Sequence, residues 1–204
     1  MRRIERCALA VALAVVAGCA TVTEKDSAWI ETDGAAKLVA LGCPPREPIA
    51  AKAGELPSDR EIDVTSWNIH RNADEGWAAD LARFARASDL VLLQEATLTA
   101  ALREELAKAG RVWTHADAWA FDGINNGVLT AAQAAPDRAC VQRAAEPLIS
   151  LPKSALIAWY RIRGRPQSLA VANVHAVNFT LDLTVYQRQL ENVIDVLAKH
   201  EGPI

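Results

Sequence analysis

Thr65-Ser66-Trp67-Asn68-Ile69-His70 and, one helix further on, Asp89-Leu90-Val91-Leu92-Leu93-Gln94-Glu95 decide how this 204-residue chain is read. Ile62, Val64, Ser66, Asn68 and His70 alternate with Asp63, Thr65, Trp67 and Ile69, which predicts a strand. Leu90 to Leu93 is an unbroken apolar run, as in a strand buried on both faces. Between them Trp77, Leu81, Phe84 and Ala85 recur at helical spacing, and Leu98, Leu102 and Leu106 stripe a second helix closed by Gly110. Strand, helix, strand, helix is the order of a parallel pair with a crossover, so the fold class is α/β.

Polar residues gather where these strands end. Asn68 and His70 share a face, because side chains two apart point the same way. Gln94-Glu95 ends the second strand. Asn173 and His175 end a later strand, again on one face. Ligands of α/β sheets sit at the carboxyl ends of strands, so the three tips are candidates for one site. A carboxylate such as Glu95 suits Mg²⁺, which takes one or two protein carboxylates plus waters and phosphate oxygens. Asn68 and Asn173 can orient a phosphate or a water, and His175 can donate to a phosphate oxygen or move a proton. Together they point to metal-assisted phosphoester hydrolysis. The same residues also suit plainer duties: Glu95 as a helix cap near Thr97, the asparagines as bridges between backbone groups, and His70 and His175 as structural histidines.

Outward from this centre the pattern is less uniform. Residues 112–119 and 127–132 are predicted strands, 133–152 a loop with Pro136, Pro147 and Pro152, and 154–162 and 168–175 two strands around Gly164-Arg165-Pro166. Tyr186, Leu190, Val193, Ile194 and Leu197 stripe a last helix, with Thr184 as its cap. Trp77, Trp113 and Trp119 are candidates for a groove or for the core. Arg138, Arg143, Arg161, Arg163 and Arg165 form either a basic groove or a solvated face. Ending at Gly202-Pro203-Ile204, a turn and the first residue of another strand, the sequence is expected to be a fragment.

At the other end, Arg2, Arg3 and Arg6 precede the apolar run Ala8–Ala17 and then Gly18-Cys19. The run is too short to span a bilayer and has the layout of an export signal. Small residues before Cys19 point to a lipoprotein rather than a plain signal peptide with an incidental Cys: a signal over 1–18, a lipid on Cys19, a tether over 19–60 rich in Ala, Lys, Glu and Gly and punctuated by prolines, and a domain over 61–204. That places the chain in the cell envelope, held to a membrane by its anchor. Cys43 and Cys140 are then left to form the one possible intramolecular disulfide, worth about 4–5 kcal/mol by loop entropy. A formal charge of −3 excludes a chain that binds nucleic acid through overall basicity.

The two opening segments resemble the first motifs of the endonuclease/exonuclease/phosphatase family, a strand ending in Asn and then one ending in Gln-Glu. Asn173-Val174-His175 resembles the family's Asn-x-His strand, and Tyr186-Gln187-Arg188-Gln189-Leu190 its following helix. Gly127-Val128-Leu129-Thr130, Glu146-Pro147-Leu148, Lys153-Ser154-Ala155-Leu156 and His175-Ala176-Val177-Asn178-Phe179 are similar to the YafD-like bacterial branch. The likeness covers about residues 62–204. It implies a four-layer sandwich of two facing mixed β-sheets flanked by helices, here C-terminally truncated. It also implies Mg²⁺- or Mn²⁺-dependent phosphoester hydrolysis, with Glu95 as metal ligand, Asn68 assisting, His175 on the scissile phosphate and Asn173 beside it. It gives no role to His70, Asn126 or Asn178. The family's Gly-Asp-x-Asn and Asp-His motifs are absent, so the chain is expected to be inactive as it stands. The expected partners are a phosphoester substrate and a membrane. The alternative is a non-catalytic envelope lipoprotein that uses the same fold to bind a ligand.

Overall fold

A computed structural model describes residues 20–22, 26–43, 54–147, 151–178 and 182–204. The signal segment and Cys19 lie outside the described residues. Eleven described strands run in chain order: β1 Ala20–Thr21, β2 Ser27–Thr32, β3 Ala35–Ala40, β4 Glu55–Leu56, β5 Val64–Asn68, β6 Leu90–Thr97, β7 Val112–Phe121, β8 Ile124–Ala132, β9 Arg138–Ala145, β10 Pro152–Ile162 and β11 Ser168–Val174. The helices are α1 Trp77–Ala87, α2 Ala100–Lys108 and α3 Thr184–Leu197.

Two sheets result. The first has the order β3-β2-β7-β8-β6-β5, with β1 on the free edge of β7 beyond β2. The second has β11-β10-β4, with β9 also against β10. Both are mixed. β5 runs parallel to β6, as the crossover through α1 requires, and β4 runs parallel to β10, while the other pairs are antiparallel.

Layering follows from the alternation of each strand. Val91 and Leu93 of β6, Trp113 of β7 and Leu129 of β8 pack against Leu81, Leu102 and Leu106 of α1 and α2. From the opposite face, Leu90 and Ala132 meet Leu56, Ala158 and Tyr160 of the second sheet, and Ile30, Ala116 and Val128 meet Val141 and Leu156. Ala155, Ile157 and Trp159 point the other way, onto Val193 of α3. The order is helices, sheet, sheet, helix, the α/β sandwich implied by the motifs. Because β6 and β10 are covered on both sides, their sequences are apolar runs, and each fully buried Leu or Ile contributes about 1.5–3 kcal/mol.

Three expectations are corrected. The tether over 19–60 contains an antiparallel hairpin, β2–β3, that extends the first sheet and buries Ala28 and Ile30 in the inter-sheet core. Its turn is Asp33-Gly34, with φ of 48° and 87°, left-handed at both positions as a two-residue hairpin turn demands. The loop over 133–152 contains β9, which pairs along β10 from Ala145↔Pro152 to Arg138↔Trp159. The first turn of α3 is held not by a Thr184 cap but by the Asp182 carboxylate, which accepts from the Thr184 N–H. Cys43 and Cys140 are joined in a disulfide, Cα atoms 5.1 Å apart, tying the segment after β3 to β9. Among the described residues no helix is long and apolar enough to cross a membrane.

Candidate functional site

The site is built on two irregularities of the first sheet. Gln94 and Glu95 together oppose Val128, because the β6–β8 register shifts between Leu93 and Ala96. Such a bulge adds one residue to a strand and re-aims a side chain. Glu95 takes a left-handed backbone, φ 53°, which a non-glycine residue adopts at a cost of roughly 1–3 kcal/mol. A second shift in β7, between Asp117 and Trp119, meets the first at Gly127, which pairs with both Ala96 and Asp117. A Cβ on Gly127 would run into the Ala116 carbonyl, so only glycine fits where the two bulges converge.

The bulge is held from both faces. From the second sheet, Asn173 (1% exposed) donates to the Leu93 and Leu129 carbonyls at 3.1 and 2.9 Å, and its own oxygen accepts from Gln94 Nε2 at 2.8 Å. From the helix face, the fully buried His115 places Nε2 3.1 Å from the Ala96 carbonyl. Burial holds His115 well below the ordinary histidine value, at about 4, so its ring is neutral at neutral pH.

Glu95 then meets two of the other expected residues. Asn68, at the end of β5, donates from Nδ2 to Glu95 Oε1 at 3.1 Å, and its Oδ1 accepts from the His70 N–H. That contact closes a turn in which His70, Arg71 and Asn72 are all left-handed, φ 48°, 58° and 56°. His175 Nε2 lies 3.5 Å from Glu95 Oε1, and Arg71 Nε lies 4.0 Å from Oε2. Asn173 does not join them in the cleft. It acts one layer back, through Gln94 and the bulge.

Sequence reasoning missed Lys153. Its Nζ sits 3.0 Å from His175 Nε2 and 3.9 Å from the wholly buried Glu146, whose carboxylate also accepts from the Asn178 N–H. An ammonium only donates, so His175 Nε2 is the acceptor and its proton is on Nδ1. Burial and then the Lys153 charge push the His175 ring down to about 4. Lys153 and Glu146 each head a segment that carries the resemblance, Lys153-Ser154-Ala155-Leu156 and Glu146-Pro147-Leu148, but neither was given a role there. Gln189 of α3 was missed too. It accepts from the Val177 N–H and donates to the His175 carbonyl, fixing the backbone that carries the histidine.

Glu95, Lys153 and His175 line a cleft of about 310 Å³ with His70, Arg71, Trp119 and Asn126. The expected Arg cluster forms no groove. Arg138 lies over Trp159, Arg143 donates to the Ser27 carbonyl and Arg161 pairs with Asp137. Trp77 and Trp113 belong to the core, and only Trp119 reaches the cleft.

The donor set fits a hard divalent ion that keeps most of its waters. One carboxylate is presented, with an amide beside it, and no group of three His, Cys, Asp or Glu converges among the described residues. Mg²⁺ or Mn²⁺ held by one carboxylate, waters and a phosphate suits that set; an all-protein cage does not. Lys153 and Arg71 would balance a phosphate in the same cleft.

No protein-family profile matches the chain. It is 37% identical over 152 residues to a UPF0294 protein of Vibrio parahaemolyticus, covering 74% of this chain and 54% of that one. It is 38% identical over 172 residues to a UPF0294 protein of Yersinia pseudotuberculosis, covering 84% and 63%. The chain thus spans between about half and under two thirds of the length of these relatives. Among solved structures, a conserved protein of unknown function from Enterococcus faecalis V583 superposes with a TM-score of 0.53 at 14% identity, over 68% of this chain and 62% of that one. An endonuclease/exonuclease/phosphatase family protein from Leptotrichia buccalis gives 0.49 at 14% identity, over 70% and 64%. At these identities the likeness concerns the fold alone.

Proposed function

We propose that the chain carries the metal- and phosphate-binding half of a Mg²⁺- or Mn²⁺-dependent phosphoester hydrolase of the endonuclease/exonuclease/phosphatase type, in its YafD-like branch. The observation that supports this is the convergence of Glu95, His175 and Lys153 on one cleft, with Asn68 on the Glu95 carboxylate and Glu95 aimed there by a strained bulge.

Glu95 is the metal ligand, and Asn68 fixes its carboxylate. A bound divalent ion would polarise the phosphate and lower the pKa of a water. Lys153 and Arg71 hold non-bridging phosphate oxygens. His175, neutral and protonated on Nδ1, keeps Nε2 free to share a proton with a substrate or water once Lys153 turns to the phosphate. Asn173 and His115 position Glu95 without touching substrate. The nucleophile-activating carboxylate and the acid–base histidine belong, in this reading, to Gly-Asp-x-Asn and Asp-His segments that these residues do not include. The chain by itself therefore binds but turns over little or nothing. Cys19 carries the lipid that holds the domain to an envelope membrane.

Thermal unfolding with and without millimolar Mn²⁺, beside Glu95→Gln, tests the reading. At a hundred times Kd a ligand of the folded state adds about 2.7 kcal/mol. A rise in Tm in the native sequence that Glu95→Gln abolishes is the expected outcome; no rise, or an equal rise in both, rejects Glu95 as the ligand.

A further inference from the structure

The cleft of Glu95, Lys153 and His175 does not end at Trp119. A second cavity of about 330 Å³ opens beyond it, lined by Arg71, Thr97, Trp119, Phe121, Ile124 and Asn126, and shares Arg71, Trp119 and Asn126 with the first. Strand register explains its walls. Trp119 faces Asn126 and Phe121 faces Ile124 across the β7–β8 hairpin, while Thr97 faces Asn126 from β6. Residues two apart on a strand share a face, so these five side chains form one surface. Ala118 is the extra residue of the β7 bulge. It brings Trp119 and Phe121 onto the face of Ala116 and Val128, the face turned to the second sheet and the site.

That surface is apolar and, among the described residues, open to solvent. Phe121 is 46% and Ile124 42% exposed, although the same face of the same strands is buried a few residues away. Exposed apolar side chains continuous with a polar cleft mark a binding surface. Two of the three apolar walls are aromatic rings, which favour a flat partner in offset or edge contact, and the Arg71 guanidinium stands at the junction. The volume is at the small end for ligand pockets, room for one ring system rather than an extended chain.

We propose that this second cavity is a subsite for a flat aromatic group joined to the phosphate in the neighbouring cleft. The substrate is then an aryl- or base-bearing phosphoester. The inference rests on the reading of the first cleft as a phosphate site.

Binding of three probes to the full chain in the presence of Mn²⁺, measured by calorimetry, tests it: methyl phosphate, phenyl phosphate and octyl phosphate. Phenyl phosphate is expected to bind about tenfold more tightly than methyl phosphate, the range of one stacking contact. Phe121→Ser removes that advantage and leaves methyl phosphate unchanged, whereas Leu38→Ser, an equally exposed change on the β2–β3 hairpin, alters neither. Equal affinity for methyl and phenyl phosphate overturns the subsite and leaves the phosphate site standing. Tighter binding of octyl than of phenyl phosphate overturns the aromatic assignment. Failure of all three to bind removes the phosphate site and the subsite together.

Discussion

A polar cleft and an apolar groove open on the gap between the sheets, and they are opposites. The cleft at the ends of β5, β6 and β10 is lined by Glu95, Lys153, His175 and Arg71 and is shaped by bulges, left-handed residues and hydrogen bonds across the layers. The groove between β5 and β11, about 520 Å³, is lined by Ile62, Val64, Leu90, Ile162, Leu169, Val171 and Ile204, with regular strands on both sides. In the cleft Glu95, Lys153 and His175 each have a partner that fixes direction, so moving one group moves the others. The groove is surface that burial alone would stabilise, and Val64 there is 52% exposed. Directional interactions build a site, and undirected apolar surface only asks to be covered.

The widest gap between the two regions should appear with Asn173→Ala. It leaves the Leu93 and Leu129 carbonyls without their donor inside the inter-sheet core and frees Gln94. A loss of roughly 2–4 kcal/mol is expected in urea unfolding, with the Mn²⁺ response lost as the Glu95 bulge relaxes. A full-strength Mn²⁺ response in a destabilised Asn173→Ala chain would show that the bulge does not depend on this side chain.

Acid should come next. His115 and His175 both titrate near 4 in the folded chain, against about 6.5 when unfolded. Their contribution is complete above about pH 6.5. It is lost as pH falls toward 4, because the unfolded chain takes up protons that the folded one refuses, up to about 3 kcal/mol for each ring. Unfolding midpoints between pH 7.5 and 4.5 measure this. His175→Gln should flatten the His175 share of the slope; an unchanged slope would mean that the ring is not held neutral.

The smallest effect belongs to the groove. Val64→Ser should change stability by no more than about 0.5 kcal/mol, since a half-exposed edge position gives up little burial. It should lower binding of an apolar fluorescent dye without altering the Mn²⁺ response. A large loss of stability would show that the groove is closed in solution.

The strands β5 and β6, the helices α1 and α2 and the α/β class were legible because each rests on a local period, while the two-sheet sandwich was only implied by the resemblance of the motifs. Alternation, an apolar run and a helical stripe are properties of neighbouring residues. The β2–β3 hairpin was read as tether: its signal, Asp33-Gly34 flanked by Trp29, Ile30 and Leu38, is short and lies among prolines and small residues. β9 carries no strong pattern. Its Ala139, Cys140 and Val141 gain strand character from lying along β10.

The site divides in the same way. By itself the sequence determined that Asn68 and His175 close their strands, and it placed Glu95 at the end of an apolar run that the structure instead carries on, past a bulge, to Thr97. It also determined that Cys43 and Cys140 were available to pair. Only the tertiary structure decided that Asn173 lies beneath the cleft rather than in it, that Lys153 and Glu146 stand behind His175, and that Glu95 is turned into the cleft by a bulge meeting a second bulge at Gly127. The reason is physical. A period tells which face a side chain takes, but convergence depends on the register between strands far apart in the chain. Register here is set by carbonyls, a glycine and buried amides that become partners only when the two sheets close.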